Sequence, residues 1–221
     1  MISAIVFDFD GVLVDSEPLH LRSYQEVLSS MGATLPAEEY YANYLGFDDE
    51  GVFRALSEAR GWGLTAAQIA TLITEKTAAM DALLGETDVL YPGAAACLER
   101  LAAVWPLGIA SGALRQEIER ILRKSGLHRH IRFLVAAGDT PAGKPAPDPY
   151  RRAAELHGKR PGNCLAIEDS RWGIQAAKDA GLWCIGITHT YPIGELMEAD
   201  SIVTSLDEIT PELIGSLRAG Q

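Results

Sequence analysis

The sequence predicts a protein of the α/β class, in which a parallel β-sheet is interrupted by an all-helical insertion. Short apolar runs alternate with segments of helical length along most of the chain. A long segment near the N-terminus breaks this alternation, because it has helical spacing and no strand-like run. Polar clusters follow several of the apolar runs, and an open parallel sheet places its ligand site at that edge.

Six apolar runs are the predicted strands. The first, residues 2–9, lacks strict alternation, which is typical of a strand buried on both faces of a parallel sheet. The others are 106–110, 133–137, 164–167, 183–187 and 201–204, and the predicted helices are 94–104, 115–125, 149–156, 173–180 and 206–217. This order predicts right-handed crossovers between parallel strands. Asp148 is expected to cap the helix that begins at Pro149.

Residues 16–88 are the predicted insertion. Apolar residues recur at helical spacing from Leu19 to Met31 and again from Ile69 to Met80. Residues 1–15 and 89–221 accordingly form the predicted sheet domain.

The composition argues against some classes of partner. Of the 221 residues, 48% are hydrophobic and 22% are charged, which is ordinary for a globular protein. The formal net charge is -11, so the chain as a whole repels phosphate backbones and anionic lipid surfaces. We therefore expect no nucleic-acid partner and no membrane partner. A small anionic substrate would need a local cluster of positive charge.

The N-terminus and the cysteines favour a cytoplasmic location. No basic leader pattern precedes the first acidic motif, and charges at Glu99 and Arg100 interrupt the longest apolar stretch. Cys97, Cys164 and Cys184 form no CxxC pair, and we expect three buried, reduced thiols.

Two acidic clusters follow predicted strands. Asp8 and Asp10 are two residues apart, so both side chains lean to the same face of an extended segment. Glu168 and Asp169 follow another strand. Carboxylates this close repel each other unless a cation or a proton lies between them. A hard divalent cation with oxygen ligands, most simply Mg²⁺, is the expected occupant.

Two further clusters are suited to binding an anion. Ser111 supplies a hydroxyl beside Gly112, where backbone N–H groups can approach an anionic ligand. Lys144 lies in a proline-rich loop and supplies the positive charge that a site of carboxylates and phosphate oxygens requires.

Five motifs spread over nearly the whole chain carry a family resemblance. They are FDFDGVLVDSEPLH from Phe7, YPG from Tyr91, ASG from Ala110, GKPAPD from Gly143 and IEDSRWGIQAAKDAG from Ile167. Together they resemble the haloacid dehalogenase superfamily, in the subgroup of β-phosphoglucomutase and phosphoglycolate phosphatase. The resemblance implies a Rossmann-like core in which residues 16–88 form a helical cap domain.

The resemblance also implies an activity and a set of site residues. The implied enzyme is a Mg²⁺-dependent phosphatase that hydrolyses a small phosphorylated metabolite, such as a sugar phosphate or a phosphoglycolate-like compound, through an aspartyl-phosphate. Asp8 is the implied nucleophile and Asp10 the implied general acid and base. The implied Mg²⁺ ligands are Asp8, Asp10 and Asp169, with Glu168 as a further candidate, and the implied phosphate-binding residues are Ser111, Gly112 and Lys144.

Three residues of the insertion are possible substrate contacts by the same resemblance: His20, Gly46 and Lys76. An ordinary position on a helix surface is the alternative for His20 and Lys76.

Two other functions stay open. A sugar-phosphate mutase would need a second cationic site in the cap, but Gly46 is followed by Phe47 and then by three acidic residues. Arg54 and Lys76 are the cations that could form the second cationic site instead. A binding module without catalysis would have lost a nucleophile, an acid or a metal ligand, and this sequence retains all of them. We expect a monomer or a weak homodimer.

Overall fold

The computed structural model describes residues 1–45 and 47–217, apart from the side chain of Glu86. The chain divides into two compact units. One consists of Met1–Asp15 and Val89–Gln221, and the other of Ser16–Asp88.

The first unit contains a parallel sheet of six strands in the order β3-β2-β1-β4-β5-β6. The strands are β1 Ala4–Phe7, β2 Leu107–Ala110, β3 Ile131–Val135, β4 Cys164–Glu168, β5 Trp183–Ile187 and β6 Ser201–Val203. Its helices are α5 Ala94–Ala102, α6 Arg115–Lys124, α7 Asp148–His157, α8 Arg171–Asp179 and α9 Pro211–Ser216. The predicted α/β class and the parallel sheet are confirmed.

Strand β1 lies at the centre of the sheet, between β2 and β4. The chain builds the sheet outward through β2 and β3 and then crosses to β4 on the other side of β1. This reversal of strand order marks the point where open parallel sheets bind ligands, beyond the carboxyl ends of the strands. Strands β1, β2 and β4 are completely buried, which accounts for their continuous apolar sequence.

The second unit consists of four helices: α1 Glu17–Ser30, α2 Ala37–Asn43, α3 Asp49–Arg60 and α4 Ala66–Glu86. They pack around their own apolar core, whose largest buried side chains include Tyr24, Phe53 and Leu56. Thr65 begins α4 with a capping box, since its side chain accepts from the N–H of Gln68 while the Gln68 side chain accepts from Thr65.

Two predicted helix boundaries are wrong. Residues 206–217 are not one helix but a short 3₁₀ turn, Leu206–Glu208, followed by α9. Pro211 begins α9 after an extended Thr210, because proline cannot donate to a preceding turn and restricts the residue before it. Asp148 is the first helical residue of α7 and does not cap it, since Pro147 holds the cap position.

The three cysteines are free and buried, as predicted. None of the helices in the described part of the chain combines the length and the apolar character that crossing a membrane requires.

Candidate active site

The acidic residues lie where two central strands end. The register pairs Phe7 with Ile109 on one side and with Ile167 on the other. Asp8, which follows Phe7, is therefore level with Glu168, the last residue of β4. The parallel register thus brings these two polar clusters to one edge of the sheet.

Lys144 lies between these two carboxylates. Its ammonium nitrogen is 2.8 Å from Oδ1 of Asp8 and 2.6 Å from Oε1 of Glu168. The side chain of Lys144 is 13% exposed, so these are largely desolvated, charge-assisted contacts. The lysine is thus held beside the predicted nucleophile and not solvated in its loop.

The carboxylate of Glu168 is buried and surrounded by donors. Its Oε1 also accepts a 2.7 Å hydrogen bond from the hydroxyl of Tyr150. Its Oε2 accepts from the N–H groups of Asp169 and Ser170 and from the Ser170 hydroxyl, at 3.2 to 3.4 Å. Gly173 completes this enclosure, since a Cβ there would lie 1.8 Å from Oε1.

Burial and then the neighbouring charges shift the pKa values of the site. Burial raises the pKa of Asp8 well above its ordinary value, and Glu168 and Asp169 add to this while Lys144 opposes it. Burial and then Glu168 raise the pKa of Asp169 to about 7. Burial lowers the pKa of Lys144, but the attraction of Asp8 and Glu168 outweighs it and raises that pKa above its ordinary value.

The donor set fits a hard divalent cation. One carboxylate oxygen from each of Asp8, Glu168 and Asp169 lies within 4.8 Å of the others. These are buried oxygen donors whose mutual repulsion a cation would relieve, and oxygen donors are what Mg²⁺ prefers.

The other predicted site residues of this unit lie after β1 and β2. Asp10 is half-buried and follows β1 in a tight turn that pairs it with Val14. Ser111 directly follows β2 and is 5% exposed, and its hydroxyl accepts from the N–H of Ala113. Gly112 is exposed beside it.

Gly11 explains how Asp169 approaches the first motif. It adopts a φ of +76°, and a Cβ at this position would lie 2.0 Å from Oδ2 of Asp169. Any side chain there would displace the carboxylate.

The loop after β5 contacts Asp169, and the sequence does not predict its part in the site. Thr190 hydrogen-bonds to Asp169 and to Tyr91. The ring of His189 stacks on Tyr91 at 4.0 Å, and its Nδ1 lies 3.1 Å from the carbonyl oxygen of Gly11. No local pattern in the sequence indicates these contacts, because they join residues that are far apart in the chain.

In the helical unit, two of the predicted substrate contacts lie side by side. Nζ of Lys76 is 2.7 Å from Nδ1 of His20 and 2.8 Å from Oδ1 of Asp49. Tyr24 donates a 2.6 Å hydrogen bond to the same Asp49 oxygen. Lys76 is 3% exposed, so the alternative of a solvated surface lysine is wrong. Gly46, the third predicted contact, lies outside the described residues.

The surroundings of His20 in the helical unit keep its imidazole neutral. Burial, and then the neighbouring positive charge of Lys76, lower the pKa of His20 to about 4, against the opposing effect of Asp49. Lys76 is therefore the cation of the cluster and Asp49 its counter-ion.

The edge of this open α/β sheet holds a buried lysine among carboxylates that suit a cation, which is the arrangement expected of an enzyme active site. The sequence profile of the haloacid dehalogenase-like hydrolases matches residues 2–181. The chain therefore belongs to this family, as its motifs predict.

Similar proteins agree with this assignment. Protein CbbY of Cereibacter sphaeroides is 34% identical over 218 residues, covering 95% of this chain and 94% of its own. Hexitol phosphatase B of Escherichia coli K12 is 30% identical, covering 97% of each chain. A crystal structure of CbbY from Rhodobacter sphaeroides in complex with phosphate matches with a TM-score of 0.80 at 28% identity, covering 94% of this chain and 96% of that one.

One relative is much longer. The chain spans 55% of the chloroplastic 5-amino-6-(5-phospho-D-ribitylamino)uracil phosphatase of Arabidopsis thaliana, to which it is 27% identical.

The family and the named phosphatases among its relatives identify the protein as a phosphoric monoester hydrolase.

Proposed function

We propose that the protein is a Mg²⁺-dependent phosphatase that hydrolyses a small phosphorylated metabolite through an aspartyl-phosphate at Asp8. The observation that carries the proposal is the position of Lys144, whose ammonium lies 2.8 Å from the Asp8 carboxylate. A nucleophilic carboxylate that attacks a phosphoryl group needs a positive charge at the point where the two anions meet.

The reaction has two steps. An oxygen of Asp8 attacks phosphorus, the bond to the leaving oxygen breaks, and Asp10 gives that oxygen a proton. Asp10 then takes a proton from water as the water oxygen attacks phosphorus, which releases inorganic phosphate and restores the Asp8 carboxylate. Lys144, the Ser111 hydroxyl and the Gly112 backbone bind the phosphoryl oxygens.

The same site residues would hold the metal. Asp8, Asp169 and the Asp10 carbonyl are the proposed ligands, and Glu168 is a further candidate. Bound Mg²⁺ would reduce the repulsion between Asp8 and the incoming phosphoryl group.

Hydrolysis is favoured over the mutase reaction by the charge balance of the cap. A mutase must also hold a second phosphate, and Arg54 and Lys76 are the cations named above for that task. Arg54 forms an ion pair with Glu50, and Lys76 forms one with Asp49. Since both positive charges are already offset, a second phosphate has no free counter-charge in this pair of residues.

His20 and Lys76 are proposed substrate contacts, and they favour a substrate whose remainder is neutral. A lysine balanced by Asp49 beside a neutral histidine offers hydrogen bonds but little net charge. A phosphorylated sugar or polyol fits this chemistry better than a bisphosphate or a phosphoglycolate-like acid. Hexitol phosphatase B, a relative over the full length, carries a name of the same kind.

The test of the proposed function is phosphate release from p-nitrophenyl phosphate, with Mg²⁺ or with excess EDTA. We expect turnover only with Mg²⁺, and a loss on the order of 1,000-fold or more in Asp8→Asn, which cannot form the covalent intermediate. Undiminished turnover in EDTA would remove the metal from the proposal. If no sample of the wild type turns over substrate, with or without added metal, the binding module is favoured.

A second assay separates hydrolysis from the mutase reaction. With β-glucose 1-phosphate, catalytic glucose 1,6-bisphosphate and Mg²⁺, we expect free phosphate and no glucose 6-phosphate. Rapid formation of glucose 6-phosphate would contradict the proposal. The cytoplasmic location and the monomer or weak homodimer stay predictions, which fractionation and analytical ultracentrifugation would test.

A further inference from the structure

Tyr150 is a completely buried tyrosine that contacts the site and that the proposed mechanism does not use. Its hydroxyl donates a 2.7 Å hydrogen bond to Oε1 of Glu168. Its ring lies under the Lys144 ammonium, with Nζ 5.0 Å from the ring centroid. A buried tyrosine needs a hydrogen-bond partner, and here that partner is the carboxylate that also holds Lys144.

Glu168 is held in place from several sides. Its second oxygen accepts from two backbone N–H groups and the Ser170 hydroxyl. The carboxylate also packs against Gly173, where no side chain could fit. The carboxylate is therefore a fixed point to which Lys144 is attached, and Tyr150 is the remaining donor on the oxygen that Lys144 contacts.

The two donors share one oxygen. Lys144 is 2.6 Å and Tyr150 is 2.7 Å from Oε1. A lysine ammonium is a point charge on a flexible stem, so its partners decide where it lies. Without the Tyr150 hydroxyl, Oε1 would present its whole negative charge to Lys144 and draw the ammonium toward Glu168, away from Asp8.

We propose that Tyr150 is a positioning residue, whose hydroxyl acts through Glu168 to hold the Lys144 ammonium where the phosphoryl group is transferred. This inference rests on the proposed phosphatase function. It assigns to Tyr150 no contact with the substrate and no contact with the metal.

The experiment uses Tyr150→Phe, which removes the hydroxyl and keeps the ring. With p-nitrophenyl phosphate we expect kcat to fall about tenfold, while KM and the Mg²⁺ concentration for half-maximal rate stay within about threefold of wild type. The matched control is Tyr40→Phe, which removes a tyrosine hydroxyl from Glu17 in the helical unit and should leave kcat within about twofold.

A double-mutant cycle tests the route through Glu168. Because Tyr150 acts on Lys144 only through this carboxylate, Tyr150→Phe should cost less than about twofold in kcat when added to Glu168→Gln. A full, undiminished loss in that background would overturn the proposal. So would a kcat for Tyr150→Phe within about twofold of wild type, or a loss matched by an equal rise in the Mg²⁺ requirement.

Thermal melts of each variant separate folding from catalysis. If Tyr150→Phe gives no cooperative melt, Glu168→Gln carries the test. The proposal then expects a kcat that stays low at saturating Mg²⁺, and a kcat that saturating Mg²⁺ restores to the wild-type value would overturn it. An inactive wild type would count against the proposed function itself, whereas an active wild type with an equally active Tyr150→Phe would count against this inference alone.

Discussion

The sheet unit and the helical unit each enclose a lysine in the same kind of surroundings. Lys144 contacts Glu168, whose Oε1 also accepts from Tyr150, and the ring of that tyrosine lies 5.0 Å from the ammonium. Lys76 contacts Asp49, whose Oδ1 also accepts from Tyr24, and that ring lies 4.9 Å from the ammonium.

The two clusters differ in charge. Lys144 has a second carboxylate, Asp8, at 2.8 Å, and Asp169 lies in the same acidic group. Lys76 has one carboxylate and a histidine whose pKa is lowered to about 4. The cluster of the sheet unit therefore carries excess negative charge, which a divalent cation would balance, whereas the cluster of the helical unit is balanced by itself.

We infer from this difference that the cluster of the sheet unit serves the reaction, whereas the cluster of the helical unit serves stability and hydrogen bonding to the substrate. Excess charge of one sign is costly to bury and is kept where a reaction uses it. A balanced pair with a tyrosine partner adds hydrogen-bonding groups without such a cost.

Among the substitutions that compare the two lysine clusters, Lys144→Ala should have the largest effect. We expect kcat to fall on the order of 100-fold or more, since the variant removes the positive charge at the transferring group. Steady-state kinetics with p-nitrophenyl phosphate measure it. Lys159→Ala, at an exposed lysine of the same unit, is the control and should stay near wild type. An effect of Lys144→Ala confined to KM would reduce this lysine to a binding role.

Asp169→Asn should have opposite effects on activity and stability. The Mg²⁺ concentration for half-maximal rate should rise tenfold or more, on the order expected when a metal site is disturbed. Without metal and at pH 8, above the pKa of about 7, the free energy of unfolding should rise by about 1 kcal/mol, because an ionised carboxylate beside Glu168 is gone. Asp179→Asn, an exposed residue, is the control. A metal-free variant less stable than wild type would contradict the excess of negative charge.

Asp49→Asn should destabilise the helical unit, whereas Asp169→Asn should stabilise the metal-free sheet unit. Because Lys76 would lose its counter-ion, we expect the free energy of unfolding to fall by about 1–3 kcal/mol. The loss is smaller than for a fully buried pair because Asp49 is partly exposed. Adding Lys76→Met should restore part of this loss. Urea denaturation measures both variants. If the double variant is less stable than Asp49→Asn, the pair is not self-balanced.

His20→Gln should have the smallest effect at neutral pH, because His20 changes stability only as the pH falls. Its pKa is lowered from 6.5 to about 4 in the fold, with Lys76 and Asp49 facing it. The unfolded chain therefore binds a proton that the folded chain does not, and stability falls as the pH falls from 6.5 toward 4. His20→Gln should flatten this fall by at most about 1.4 kcal/mol per pH unit. Identical slopes for variant and wild type would contradict the neutral histidine.

The sequence predicted the sheet and the polar edge because both depend on local patterns. Continuous apolar runs marked the buried strands, and parallel strands bring the residues after them to one edge. The motifs carried the family because they lie at these strand ends.

Partners from distant parts of the chain could not be predicted in this way. Nothing local to Tyr150 shows that its hydroxyl meets Glu168, and a lysine at position 76 of an amphipathic helix is compatible with solvent or with burial beside Asp49. The prediction of one helix over residues 206–217 is wrong at Pro211, which begins a separate helix after an extended Thr210.

Trapping of the covalent intermediate tests the central claim most directly. Asp10→Asn should form the aspartyl-phosphate from p-nitrophenyl phosphate, whose leaving group departs without a proton, and should hydrolyse it slowly. Quenching followed by borohydride reduction converts an aspartyl-phosphate to homoserine, which peptide mass spectrometry locates. The account predicts homoserine at position 8, and none in Asp8→Asn/Asp10→Asn. A burst of p-nitrophenolate with Asp8 unmodified, or homoserine at another carboxylate, would contradict it.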